Sequence, residues 1–137
     1  MNEKIIAIDF DGTLTLDGNS YPLIGEPRLW LINKAKLWKS QGHKLILWTC
    51  RTDVEPTDRA NYSTGKYLTD AVNWCSNYGL TFDSVNANLT EAKYPNIKQS
   101  RKVYADIYLD DKSVHFNDTN LSFHGYSPLN LTWMDEE

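Results

Sequence analysis

The chain's most constraining feature lies close to its amino terminus, where Ile5-Ile6-Ala7-Ile8 runs directly into Asp9-Phe10-Asp11-Gly12-Thr13. A run of four apolar residues is too short for a helix, and its isoleucines have the character of a buried strand; Gly12 then breaks the run into a tight loop. Two carboxylates therefore emerge where a buried strand stops. An unpaired buried charge is very costly, so a cation is expected beside them.

The rest of the chain supplies companions for that strand. Asp17-Gly18-Asn19 marks a turn, and residues 13 to 25 read as a loop or small hairpin. Pro27 suits the first turn of a helix whose apolar face is Leu31, Ala35 and Trp38, and Gly42 ends it just after Lys39. Lys44-Leu45-Ile46-Leu47-Trp48 forms a second apolar strand, stopping at Thr49. A polar segment, 51 to 63, precedes a helix carrying Leu68, Ala71, Val72 and Cys75 on one face and closed by Gly79. A third strand is expected within 80–87 and a fourth over 103–109, ending at Asp110-Asp111. Apolar strands alternating with helices imply parallel pairing and helices on both faces of a sheet, so the class is α/β.

Length and charge narrow the function classes. The 137 residues fit one domain, 1–137, with a core over about 4–114 and an irregular edge segment and tail over 115–137. A net charge of −4 argues against a chain that holds extended nucleic acid on a basic stripe. No apolar stretch approaches the roughly 20 residues of a membrane span, and the start lacks a secretion signal, so a cytoplasmic location without membrane contact is expected. Cys50 and Cys75 form neither a disulfide framework nor a zinc pattern and read as reduced core residues. His43, His115 and His124 have no ligand-like spacing. Trp30, Trp38 and Trp74 read as core.

In a parallel sheet the ligand crevice lies beyond the carboxyl ends of the strands, where strand order reverses. Asp9 and Asp11, Thr49, and Asp110 and Asp111 all fall at such ends, and carboxylates from two strands make the hard oxygen site that Mg²⁺ prefers. A hydroxyl at Thr49 and a lysine would stabilise a transferring phosphoryl group, while one carboxylate attacks phosphorus and its neighbour handles the proton. The inventory points to phosphoryl transfer. Arg51, two residues after Thr49, is either a substrate contact or half of a structural ion pair. Asp106 reads as a structural residue at the start of the fourth strand.

These residues resemble the haloacid dehalogenase (HAD) superfamily. Asp9-Phe10-Asp11-Gly12-Thr13 matches its D-x-D-G-T signature, Leu45-Ile46-Leu47-Trp48-Thr49 resembles its second motif, and Ile107-Tyr108-Leu109-Asp110-Asp111 its acidic fourth motif. For the third motif, a single basic residue, Lys102 is the first choice, with Lys98 and Lys93 as alternatives. The resemblance implies a Rossmann-like three-layer fold with a mainly parallel central sheet flanked by helices. It makes Asp9 the nucleophile and a Mg²⁺ ligand, and Asp11 the general acid and base, with a backbone carbonyl on the metal. Thr49 and Lys102 would hold the phosphoryl group. Asp110 is expected on the metal directly, with Asp111 beside it directly or through water. Gly12 permits close approach of loop N–H groups to phosphate oxygens.

The spaces between motifs leave no room for a large cap domain, so the chain is similar to the capless type. An open site accepts a phosphorylated small molecule, a nucleotide or a nucleic-acid end, or is covered by a second copy in a homo-oligomer. Two other readings use the same residues. A phospho-accepting receiver domain has its acidic pair first and its acceptor Asp on a middle strand, an order this chain does not follow. A catalytically idle binding or regulatory protein on the same fold is separated from an enzyme by a turnover assay.

Overall fold

The apolar run after Lys4 forms β1 (Ile5–Ile8), the strand on which the others are assembled. The computed structural model describes residues 3–54, 65–89, 103–110, 114–116 and 121–123. In chain order β1 is followed by a tight turn over Phe10–Leu14, α1 (Leu29–Ser40), β2 (Lys44–Leu47), β3 (Asp53–Val54) and β4 (Gly65–Lys66). Then come α2 (Tyr67–Asn77), β5 (Ser84–Val85), β6 (Ile107–Leu109), β7 (Val114–Phe116) and β8 (Leu121–Phe123).

Four of the strands form one sheet in the order β5-β2-β1-β6. All its pairings are parallel: Ile8 lies opposite Leu47 on one side and Leu109 on the other. The fold is α/β and Rossmann-like, with a mainly parallel central sheet flanked by helices. Strand order reverses at β1, because β2 and β6 lie on opposite sides of it. Two short antiparallel pairs, β3 with β4 and β7 with β8, lie outside that sheet. The second pairs 114–116 with 121–123, within the stretch read from the sequence as an edge segment; positions 117–120 and 124–137 lie outside the described residues.

Alternation along the strands divides the core. Ile6 and Ile8 of β1 and Leu45 and Leu47 of β2 pack with Leu31, Ile32, Ala35 and Trp38 of α1 and Ala71 and Cys75 of α2. Ala7 and Ile46 face the other way, against Val103 and Ala105, with Trp48, Leu89 and Tyr108 around them. A large aliphatic side chain fully buried contributes about 1.5–3 kcal/mol, so the aliphatic-rich face toward the helices carries most of the burial energy. The helix face expected at Leu31, Ala35 and Trp38 is buried along its length. Gly42, at φ +97°, takes the left-handed conformation that ends α1, and the next N–H, of His43, returns to the Trp38 carbonyl at 3.1 Å.

Two strands are shorter than the sequence suggests, for one reason. Asp83 Oδ2 accepts the Leu45 N–H at 2.8 Å, while the Asp83 N–H donates to the Leu45 carbonyl at 2.8 Å. Asp106 does the same to Ile5, accepting its N–H at 2.7 Å and donating to its carbonyl at 2.8 Å. In each case a side chain replaces a ladder carbonyl, and the regular strand begins only beyond it. Asp106 therefore lies at the amino edge of the sheet, away from the strand ends that carry the candidate catalytic residues. Tyr104 Oη also donates to it at 3.1 Å, and the carboxylate beside the phenol pushes the Tyr104 pKa up.

The cysteines part company. Cys75 is buried in the core, where burial pushes its thiol up to about 12, whereas Cys50 is exposed, contrary to the core role expected for it. Among the described residues no helix is long and apolar enough to cross a membrane.

His43 is buried and accepts the Lys4 N–H on Nδ1 at 3.1 Å. Burial lowers its pKa below the ordinary 6.5, so on acidification the unfolded chain takes up this proton first. Its contribution to stability is present above pH 6.5 and is lost as pH falls from there through the lower folded-state value. Thermal melting followed from pH 7.5 to 5 should show a declining midpoint, and His43→Gln should flatten that decline.

Candidate active site

The loop after β1 is shaped by what it buries. Asp9 leaves the strand in extended conformation, and its N–H donates to the Leu109 carbonyl at 2.9 Å. Phe10, between the two acids, is fully buried and meets the Trp74 ring edge-to-face at 5.4 Å. Asp11 stays extended, and Gly12 turns the chain at φ +82°, a conformation open to glycine and costly for most other residues. The turn closes with the Thr15 N–H on the Phe10 carbonyl at 3.2 Å.

Two side chains that the sequence did not single out hold this loop. Thr15 Oγ1 accepts the Gly12 N–H at 3.0 Å and donates to the Asp17 carbonyl at 2.9 Å. Gly12 thus engages its N–H within the loop. Buried Arg28 reaches in from the start of α1, with Nε donating to the Thr13 carbonyl at 2.8 Å and Nη2 3.4 Å from the carbonyls of Gly12 and Leu16. Several carbonyls converge there, and a guanidinium has the donors to satisfy them.

At the end of β2, the Thr49 N–H donates to Asn86 Oδ1 at 2.8 Å, and Thr49 Oγ1 accepts the Arg51 N–H at 3.1 Å. The hydroxyl proton of Thr49 is left to donate elsewhere. Asn86 follows β5 directly and has φ +53°, a left-handed conformation that Asn tolerates better than most residues. Its N–H donates to the Leu47 carbonyl at 2.8 Å, so β5 ends in a clasp on the end of β2. The rule that pointed to the other strand ends also applies here, and the Val85-Asn86 boundary was its overlooked instance.

The carboxyl edge of the sheet therefore carries, in spatial order, Asn86, Thr49, Asp9 and Asp110 at the ends of β5, β2, β1 and β6. Asp111, Lys102, Lys98 and Lys93 lie outside the described residues. Among the described residues, no cluster of three or more His, Cys, Asp or Glu side chains suited to a metal ion is found. The oxygen donors at the ends of the adjacent strands β1 and β6 have the hard character that Mg²⁺ requires.

Arg51 is engaged with Asp11. Its Nε donates to Asp11 Oδ2 at 2.7 Å and its Nη2 to Oδ1 at 2.8 Å, a bidentate pair. Only 1% of the arginine side chain is exposed, against 21% for the aspartate. Of the two readings that the sequence left open, the geometry is that of the ion pair and not of the substrate contact. Asp53, two residues on, caps α2 by accepting the N–H groups of Leu68 and Thr69, both at 2.9 Å. The Thr69 hydroxyl also donates to it, holding the Asp53 pKa below the usual carboxylate range. His115 belongs to β7, far along the chain from these residues, and His124 lies outside the described residues.

Among solved structures, the chain is similar to a conserved protein from Bacteroides thetaiotaomicron, at 34% sequence identity and a TM-score of 0.62, with 81% of this chain and 78% of that one covered. The chain belongs to the same family as that protein. No family model matches the sequence, and no curated protein matches it. The Bacteroides member is described only as conserved, so membership of the family brings the fold and no activity.

Replacing Asn86 should separate its two contributions. Asn86→Ala removes the acceptor for the Thr49 N–H and keeps a side chain in the left-handed region, and should cost about 1–3 kcal/mol in urea unfolding. Asn86→Gly lacks the acceptor as well but relieves the backbone strain, and should recover part of that loss.

Proposed function

We propose that this protein is a Mg²⁺-dependent phosphomonoesterase of the HAD type, working through an aspartyl-phosphate at Asp9. The observation that carries the reading is the double pairing of β1, with β2 on one side and β6 on the other. It makes Asp9, Thr49 and Asp110 neighbours at one sheet edge, although they come from three distant parts of the sequence.

In this reading an Asp9 carboxylate oxygen attacks phosphorus, and the bond to the leaving oxygen breaks as that oxygen takes a proton from Asp11. Asp11 then removes a proton from water, whose oxygen attacks the aspartyl-phosphate, releasing inorganic phosphate and restoring the Asp9 carboxylate. The free hydroxyl proton of Thr49 donates to a phosphoryl oxygen throughout. A lysine from the 93–102 segment, Lys102 first, offsets the remaining charge. Asp9, the Asp11 carbonyl, Asp110 and Asp111 would hold Mg²⁺, which when bound neutralises charge on the phosphoryl oxygens. The substrate is a phosphate monoester, a phosphorylated small molecule or a nucleotide or nucleic-acid end.

Phosphate release from an aryl phosphate, followed with and without Mg²⁺, tests the reading. The wild-type chain should release phosphate only with the metal, and Asp9→Asn should fall to the uncatalysed level with an unchanged circular dichroism spectrum. Absence of release across nucleotides, sugar phosphates and oligonucleotide termini would sink the reading and favour an idle binding protein on this fold.

A second measurement concerns Thr49. Thr49→Val keeps the shape and removes the hydroxyl, and should lower kcat/KM by about tenfold to a hundredfold, the loss of one donor to a charged oxygen.

A further inference from the structure

Arg51 makes more contacts than an ion pair needs. Besides the two bonds to Asp11, Nη2 donates to the Leu23 carbonyl at 3.1 Å, and Nη1 donates to the carbonyls of Pro22 at 3.1 Å and Tyr67 at 3.3 Å. A guanidinium has five N–H groups, one on Nε and two on each terminal nitrogen, and these contacts use all of them. The plane also lies over two rings, 5.1 Å from the Phe10 centroid and 5.0 Å from that of Tyr21. Its backbone N–H meets Thr49 Oγ1. No donor is left for a substrate phosphate.

The groups so joined are those around the reaction. Asp11 is the proton-transferring acid of the phosphatase reading, Thr49 its hydrogen-bond donor to the phosphoryl group, and residues 21–23 belong to the loop between β1 and α1. That loop passes close to Asp11: a Cβ on Gly18 would lie 3.8 Å from the Asp11 backbone. A carboxylate offers about four lone-pair directions on its two oxygens, and a fork takes one on each. A direction remains on each Asp11 oxygen for the proton.

We propose that Arg51 is a positioning residue: it fixes the Asp11 carboxylate and the Pro22-Leu23 rim in one arrangement, so that Asp11 meets the leaving oxygen without reorganising. The proposal rests on the phosphatase reading above. Lysine in this position would keep the charge but not the planar fork, with three donors in place of five. Charge alone therefore does not suffice for this role. A carboxylate free to swing away from its productive position loses rate more than binding, since misplacement acts on the chemical step.

The test is steady-state hydrolysis of 4-nitrophenyl phosphate with saturating Mg²⁺ by the wild-type chain, Arg51→Lys, Arg51→Ala and Leu31→Ala. Leu31 lies in the core of α1, so Leu31→Ala reports loss of stability alone; its kcat should match wild type below its own melting transition. Arg51→Lys should lower kcat by about tenfold to a hundredfold, with KM within about twofold. Arg51→Ala strands Asp11 and three carbonyls and is the variant more exposed to unfolding, so Arg51→Lys decides the matter. Where Arg51→Ala folds, millimolar methylguanidinium should restore part of its kcat, which it would not do for Leu31→Ala above its transition. An active wild type with an unimpaired Arg51→Lys overturns the positioning role and leaves the phosphatase reading standing. A rise in KM at constant kcat also overturns it, in favour of ground-state binding. A wild type that hydrolyses no phosphate ester overturns both.

Discussion

Everything in this chain follows from the burial of β1. A four-residue strand with three fully buried residues cannot leave backbone N–H and C=O groups unpaired, so it requires a hydrogen-bonded neighbour on each side. Those neighbours are β2 and β6, both parallel to it, and parallel alignment means that all three strands stop at the same edge. The charged and hydroxyl residues that follow each strand are thereby brought to one edge. The convergence of Asp9, Thr49 and Asp110 is a by-product of pairing β1.

The same strand polarity sorts acids of similar appearance into different work. Asp83 and Asp106 precede β5 and β6 and serve the amino edge, where each accepts the N–H of a residue in the adjacent strand. His43 acts there too, receiving the Lys4 N–H. Asp9 and Asp110 follow strands and face the carboxyl edge. Asp106 and Asp110 are four residues apart, yet a strand separates their roles.

The loops at the carboxyl edge are held by two arginines that are themselves out of water. Arg28 gathers the carbonyls of the turn after β1, and Arg51 joins that turn to the Pro22-Leu23 rim and to the first residue of α2. A buried arginine is costly unless its donors are met, and both are placed where backbone carbonyls converge. Breaking such a pair strands the remaining charge, which ties the position of Asp11 to the integrity of its surroundings. Asp53 adds a third anchor from the same short segment, on the first turn of α2.

The sequence by itself determined the alternation of strand and helix, the parallel sheet, the buried faces of both helices and the strand ends at which the chemical residues lie. Each of these is a local property: apolar spacing within one element, a glycine at one helix end, an acid at one boundary. It could not decide between the two readings of Arg51, because the partner that settles it, Asp11, is 40 residues away, and the carbonyls of Pro22 and Leu23 have no side chain to read. Nor could it foresee the clasp of Asn86 on Thr49, 37 residues apart, or the side-chain substitution by Asp83 and Asp106 that shortens two strands. Periodicity tells which face of an element is buried; only the tertiary structure decided which backbone groups were left to be satisfied, and by whose side chains.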